Sequence, residues 1–109
     1  MILGFTFKEN CPDVRNTKIV DIYHTLEEYT KNITVYDPWA NADKVEHEYG
    51  VQLTSSSLES LKGKFNAVIL AVAHKEFVSL DIRSFLKNEN GVVYDVKGIL
   101  DREMIDGRL

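Results

Sequence analysis

The chain has 109 residues, 44% of them hydrophobic and 28% charged, which is the balance of one folded domain with a single core of two or three layers and no room for a second. A formal net charge of −4 argues against general affinity for nucleic acid or an anionic membrane, because either needs a basic face, and leaves room only for a local basic site. The lone cysteine, Cys11, excludes an intramolecular disulfide, and no apolar run approaches the roughly 20 residues that span a bilayer, so a cytoplasmic protein is expected.

Residues 1–6 (Met-Ile-Leu-Gly-Phe-Thr) are apolar on both faces, as in a central strand of a parallel sheet covered by helices on each side, and Gly4 permits close backbone approach. The chain starts almost inside this strand, as a domain cut from a longer protein would. Cys11-Pro12-Asp13 breaks regular structure, and either Asp13 or Asn16 can cap the helix that follows. From residue 17 to about 31, Ile19, Ile22, Tyr23 and Leu26 recur at three- and four-residue steps, which predicts one amphipathic helix of about four turns. Residues 32–36 form a β-branched and aromatic run, a second strand closed by Asp37-Pro38-Trp39, so the first third of the chain reads as a βαβ unit.

Asn41 or Asp43 can cap a second helix that Gly50 stops, and residues 51–53 add a brief extended segment. Ser55-Ser56-Ser57 is a turn before a short helical stretch at 58–61. Residues 65–73 are the longest apolar run and predict the most buried strand, with His74-Lys75-Glu76-Phe77 at its carboxyl end. Ile82, Phe85 and Leu86 fall at helical steps over 81–87, Asn90-Gly91 turns the chain, and residues 92–95 give a fourth strand. The polar tail, 99–109, is expected to be partly mobile.

The pattern predicts a Rossmann-like three-layer α/β/α sandwich around a small, mainly parallel sheet. Ligands of such sheets sit at the carboxyl edge, where strand order reverses. Of the four segments there, 7–15, 37–39, 74–77 and 96–98, three carry a cation or a histidine, so an anionic ligand is expected. The first loop has neither a Gly-x-Gly-x-x-Gly nor a Walker sequence; it offers Lys8 and Arg15 around a proline-stiffened turn, a pair suited to a diphosphate, or else two solvated surface cations. Cys11 near a helix N-terminus invites a nucleophile, but His24 and His47 lie inside helical patterns and His74 reads better as a capping or packing residue, so Cys11 reads as a bystander. No His/Cys/Asp/Glu cluster has metal-ligand spacing. Tyr36 and Trp39 either stack on a base or close the edge of the core, the latter favoured. Asp95, two residues before Lys97, either orients that lysine as an ion pair or leaves it solvated.

Residues 4–18 (Gly-Phe-Thr-Phe-Lys-Glu-Asn-Cys-Pro-Asp-Val-Arg-Asn-Thr-Lys), with Val35-Tyr36-Asp37-Pro38-Trp39, Ala71-Val72-Ala73-His74-Lys75-Glu76-Phe77 and Tyr94-Asp95-Val96-Lys97-Gly98, closely resemble the C-terminal UDP-binding domain of the UDP-glucose/GDP-mannose dehydrogenase family. The resemblance covers nearly the whole chain. The Glu-Asn-Cys-Pro-Asp form is similar to the branch that acts on UDP-N-acetylmannosamine or -galactosamine for bacterial capsule and surface polysaccharide. It implies an oxidation of the sugar 6-hydroxyl to a carboxylate by two NAD, with the dinucleotide domain and the catalytic cysteine outside this chain. By itself the chain is then expected to be inactive, one part of a homodimeric enzyme, with no catalytic residue of its own. The resemblance places Phe7, Lys8, Asn10 and Asp13 against the UDP-sugar and Arg15 against the NAD diphosphate. Lys97 matches a basic UDP-contacting segment. Gly98 stands where relatives have arginine, a role Arg108 could take over. Rival readings are a stand-alone nucleotide-binding regulatory module and an interdomain scaffold.

Overall fold

Ile2–Leu3 form β1, fully buried, with Val35–Tyr36 (β2) on one side and Ala67–Leu70 (β3) on the other. Val92–Asp95 (β4) and Gly107–Arg108 (β5) extend the sheet beyond β3, giving the order β2-β1-β3-β4-β5 with every pairing parallel. These relationships come from a computed structural model that describes residues 1–100 and 102–108. The chain leaves β1 in one direction and returns past it to β3 in the other, so strand order reverses between β1 and β3.

Successive strand residues face opposite layers, and two apolar clusters follow. One cluster joins Ile2 and Val35 to Ile19 and to Val45, from Ile19–Glu27 (α1) and Ala42–Tyr49 (α2). The other joins Leu3, Val68, Leu70 and Val93 to Phe77 of Lys75–Val78 (α3) and to Leu61, Ile82 and Phe85, which lie on short 3-10 turns. The expected three-layer α/β/α sandwich is therefore the observed one.

Several elements differ from the sequence expectation, each for a non-local reason. The first helix is shorter than four turns and is capped by neither Asp13 nor Asn16. Thr17 Oγ1 donates to Phe5 O at 2.7 Å and accepts from Ile19 N at 3.2 Å, so the hydroxyl that starts α1 is anchored to the end of β1. Asn16 just before it lies at φ +60°, outside helical space. Residues 81–87 give only the 3-10 turn Ile82–Phe85, because Leu86 bridges to Phe65 and Lys87 N donates to Phe65 O, drawing the chain out straight. The most buried strand is β1 and not β3: Ala67 is exposed and Ile69 half-buried, where the amino end of β3 borders an open depression shared with Met1, Leu26 and Ile33. The tail contributes a fifth strand. Asp106 Oδ2 accepts Val93 N at 2.8 Å and pairs with Arg83 at 3.0 Å, docking Gly107–Arg108 beside β4.

Gly4 is the residue that lets the strand ends converge. Its φ is +100°, and a Cβ there would lie 2.6 Å from Val72 Cβ and 2.8 Å from Val72 N. The backbones leaving β1 and β3 thus approach at the point where strand order reverses.

Candidate functional site

All strands being parallel, the segments that follow β1, β2, β3 and β4 emerge at one edge of the sheet. Asp37, the first residue after β2, ties three of them together. Its Oδ2 accepts Phe5 N at 2.6 Å, Thr6 N at 3.1 Å and His74 Nε2 at 2.9 Å, and its Oδ1 accepts Trp39 N at 2.7 Å and Ala40 N at 3.1 Å. Burial alone would raise the Asp37 pKa. The bonds from His74, Phe5 and Trp39 outweigh it and hold the carboxyl below its ordinary value of 3.8.

His74, the first residue past the apolar run of β3, is fully buried. Asn10 N donates to its Nδ1 at 2.9 Å, so the ring proton sits on Nε2, which faces Asp37 Oδ2 and Thr6 Oγ1. Thr6 Oγ1 in turn donates to Lys8 O at 3.0 Å. Trp39 stacks on the imidazole with ring centroids 5.9 Å apart, Phe77 packs against it at 5.5 Å, and Trp39 Nε1 donates to Glu76 Oε1. Trp39 therefore closes the edge of the core, and His74 packs and bonds as its position in the sequence suggested.

The loop over residues 7–13 is shaped by this network. Phe7 N donates to Asp13 O at 2.7 Å, closing its base, and Asn10 at φ +54° reaches across to accept Lys75 N on Oδ1 at 2.7 Å. That bond supplies a partner for the first N–H of α3, which the helix itself leaves unmet. Phe7 and Lys8 at the front of the loop are exposed, as is Asn10. Asp13 and Arg15 lie on the far side. The guanidinium binds the carboxylate in two places, Nε to Oδ1 at 3.1 Å and Nη2 to Oδ2 at 3.2 Å, and the Arg15 bonds keep the Asp13 pKa low. Both border a depression of about 320 Å³ whose opposite wall is Asp43, Lys44, His47 and Glu48 of α2.

At the end of β4, Asp95 is fully buried and its carboxylate accepts Lys97 N at 3.0 Å, Gly98 N at 2.8 Å and Leu100 N at 2.8 Å. Of the two readings of Asp95 and Lys97, the solvated lysine is the one observed: the aspartate holds backbone in a turn, and the Lys97 side chain is exposed at the edge. Arg108 pairs through its backbone with Asp95 and so belongs to the same end of the sheet, while its side chain lies outside the described part of the structure. Cys11 is half-buried, and both nitrogens of His74 are committed elsewhere, so that imidazole is not available to it as a base. Among the described residues no group of three or more His, Cys, Asp or Glu could hold a metal, and no helix is long and apolar enough to cross a membrane.

Reading His74 as a capping or packing residue does not reach its bonds to Asp37, Thr6 and Asn10, and the sequence reading does not mark Asp37 or Thr6 as site residues. The signal was available in outline: a polar residue directly at the end of each buried strand must find a partner, and neighbouring strands supply it.

Residues 1–102 match the model of the UDP-glucose/GDP-mannose dehydrogenase family, UDP binding domain. A UDP-N-acetyl-D-glucosamine 6-dehydrogenase of Pseudomonas aeruginosa is 45% identical over 112 residues, covering 100% of this chain and 26% of the relative. The enzyme of that name from Salmonella typhi is 44% identical, with 100% and 25% covered. The chain thus spans about a quarter of the length of these relatives. The crystal structure of an NDP-N-acetyl-D-galactosaminuronic acid dehydrogenase from Methanosarcina mazei superposes with a TM-score of 0.78 at 18% identity, over 97% of this chain and 23% of that one, which shows a common fold. With the switch-point geometry and this match over nearly its whole length, the chain belongs to the UDP-glucose/GDP-mannose dehydrogenase family, as a UDP binding domain.

Proposed function

We propose that this domain binds the UDP portion of a UDP-N-acetylhexosamine within a longer NAD-dependent UDP-sugar 6-dehydrogenase, which makes a uronic acid precursor for capsule or surface polysaccharide in the bacterial cytoplasm. The observation that carries the reading is that a loop bearing Phe7, Lys8 and Asn10 leaves β1 at the β1/β3 switch, at the same edge of the sheet as the segment after β4 that bears Lys97. Two cations separated along a sheet edge suit a diphosphate, and an exposed ring beside them suits a base or sugar face. Asp13 serves here by holding Arg15, and Arg108 completes the basic set from β5. The relatives' names favour the N-acetylhexosamine class, with the gluco, galacto and manno epimers as the substrates to compare.

The domain contributes placement and charge and not bond-making groups. Fixing the diphosphate sets where the sugar 6-carbon lies, so binding energy from the nonreacting end of the substrate lowers the barrier at the reacting end. NAD would supply the hydride acceptor. The residues present fit only a peripheral role toward it: no glycine-rich cradle occurs in the chain, and Arg15, exposed with part of its fork still open beyond Asp13, would reach its diphosphate. The dinucleotide domain, the catalytic groups and the surface of a homodimer are assigned to the remainder of the longer protein.

The test has two arms. UDP titrated into this domain should give saturable heat that UMP and uridine give more weakly. The full protein that carries it should reduce NAD with a UDP-N-acetylhexosamine and not with the free sugar. A domain indifferent to UDP, in a protein without that activity, would overturn the reading in favour of a regulatory or scaffold role.

A further inference from the structure

We propose that His74 is a positioning residue for nucleotide binding, its imidazole acting as a two-sided latch that holds the loop over residues 7–10 in the shape that presents Lys8. The inference rests on the UDP-binding reading above and assigns the control of that site to a buried ring the ligand does not touch.

Bond direction carries the argument. Asn10 N–H must donate, so Nδ1 must accept, and the single ring proton is left on Nε2. That proton faces an acceptor-only carboxylate at 2.9 Å and the Thr6 oxygen at 3.1 Å. Thr6 therefore keeps its own proton for Lys8 O, 3.0 Å away. One ring thus fixes the carbonyl of Lys8 through Thr6 and the N–H of Asn10 directly, on either side of Glu9. Asp37 secures the tautomer: an acceptor-only carboxylate at Nε2 holds the ring proton there and leaves Nδ1 free to accept from Asn10 N.

The loop needs such a latch. Asn10 sits at φ +54°, a conformation unfavourable for a residue with a side chain, although asparagine tolerates it better than most. Two bonds offset the cost, from its N–H to His74 and from Lys75 N to its Oδ1. A ring that only filled space between Trp39 and Phe77 would leave both nitrogens idle, whereas here both ring nitrogens are aimed at the loop or at the carboxylate behind it.

The experiment begins with the unmutated, 15N-labelled domain. The Nδ1 resonance of His74 should lie in the unprotonated range and Nε2 in the protonated range, with a through-bond coupling from Asn10 N to Nδ1. A proton on Nδ1, or no coupling, overturns the latch. Variants then separate positioning from packing. His74→Asn places an acceptor near Nδ1, and His74→Gln places a donor near Nε2 and leaves Asn10 N–H unmet. His74→Gln should weaken UDP binding about tenfold, with His74→Asn within about threefold of the original domain. If the His74 substitutions do not fold, Thr6→Val decides: it keeps the shape of the side chain and removes the hydroxyl that links His74 to Lys8 O. It should weaken UDP binding several-fold in a folded domain. Unaltered UDP affinity in a folded His74→Gln or Thr6→Val domain overturns the proposal. A domain with the coupling intact but no UDP binding instead overturns the functional reading on which it rests.

Discussion

His74 Nε2 stands 2.9 Å from Asp37 Oδ2, and solvent reaches neither side chain. The pair joins the carboxyl ends of β2 and β3, and the same carboxylate gathers the N–H groups of Phe5 and Thr6 at the end of β1. The edge that carries the proposed nucleotide site is therefore held from beneath by one buried acceptor. Asp37→Asn should cost about 2–4 kcal/mol in urea unfolding, because an amide turns a donor toward groups that themselves donate. A loss below about 1 kcal/mol would mean that the edge is held by packing alone.

The same carboxylate sets an acid limit. Its folded pKa lies below the ordinary 3.8, so Asp37 contributes stability that is fully present above the unfolded pKa and is lost as pH falls through the folded one. Unfolding free energy measured from pH 6 downward should hold through the mildly acidic range and decline below about 3.8. In Asp37→Asn the decline should be shallower. Parallel acid curves for the two proteins would assign acid unfolding to other carboxylates.

Gly4→Ala tests the approach of β1 to β3. The new methyl would meet Val72 Cβ at 2.6 Å and Val72 backbone N at 2.8 Å, in a backbone with φ +100° that side chains rarely adopt. Neither the strand nor the Val72 backbone can retreat without breaking bonds from Ala71 N and Val72 N to Leu3 O. A destabilisation of about 2–4 kcal/mol is expected, seen as a lower denaturation midpoint, and Val72→Ala should recover little of it, because alanine keeps the Cβ and the backbone N that the new methyl meets. Full stability of the single variant would show that the strands are free to part.

What could be read from the sequence was what neighbouring residues decide among themselves. Asn41 caps α2 through Lys44 N at 3.1 Å and Gly50 ends it at φ +68°, both within a few residues of the helix they bound. β4 was legible because a turn sequence precedes a run of valines. The start of α1 was not, since Thr17 is drawn to Phe5 O, and β5 was not, since Gly107–Arg108 has no strand signal until Asp106 meets Val93. The candidate site divides in the same way. Lys8, Arg15 and Lys97 declare themselves as cations at strand ends, whereas the ring that ties residues 6, 8 and 10 together is 64 residues from Asn10 in the chain. Asp95 stands out in the sequence as a partner for the Lys97 ammonium, but its carboxylate takes N–H groups ahead of it, that of Lys97 included.

Lys8 and Arg15 sit on the two sides of one loop and should fail differently. Lys8 is exposed, and no bond of its ammonium is among those of the described residues, so Lys8→Ala should leave the melting temperature in place and weaken UDP binding about five- to tenfold, the worth of one charge-assisted bond. Arg15 is already clasped by Asp13 and faces α2, away from the Asn10–His74 contact. Arg15→Ala should leave UDP binding to the domain nearly unchanged and raise the KM for NAD in the full protein, with the KM for UDP-sugar little altered. Asp13→Asn should move the same parameter more weakly, because it loosens the fork without removing it. Steady-state kinetics with each substrate varied in turn separate the two cases. Equal effects of Lys8→Ala and Arg15→Ala on both KM values would show that the loop meets a single ligand and that its division into a UDP side and a dinucleotide side is wrong.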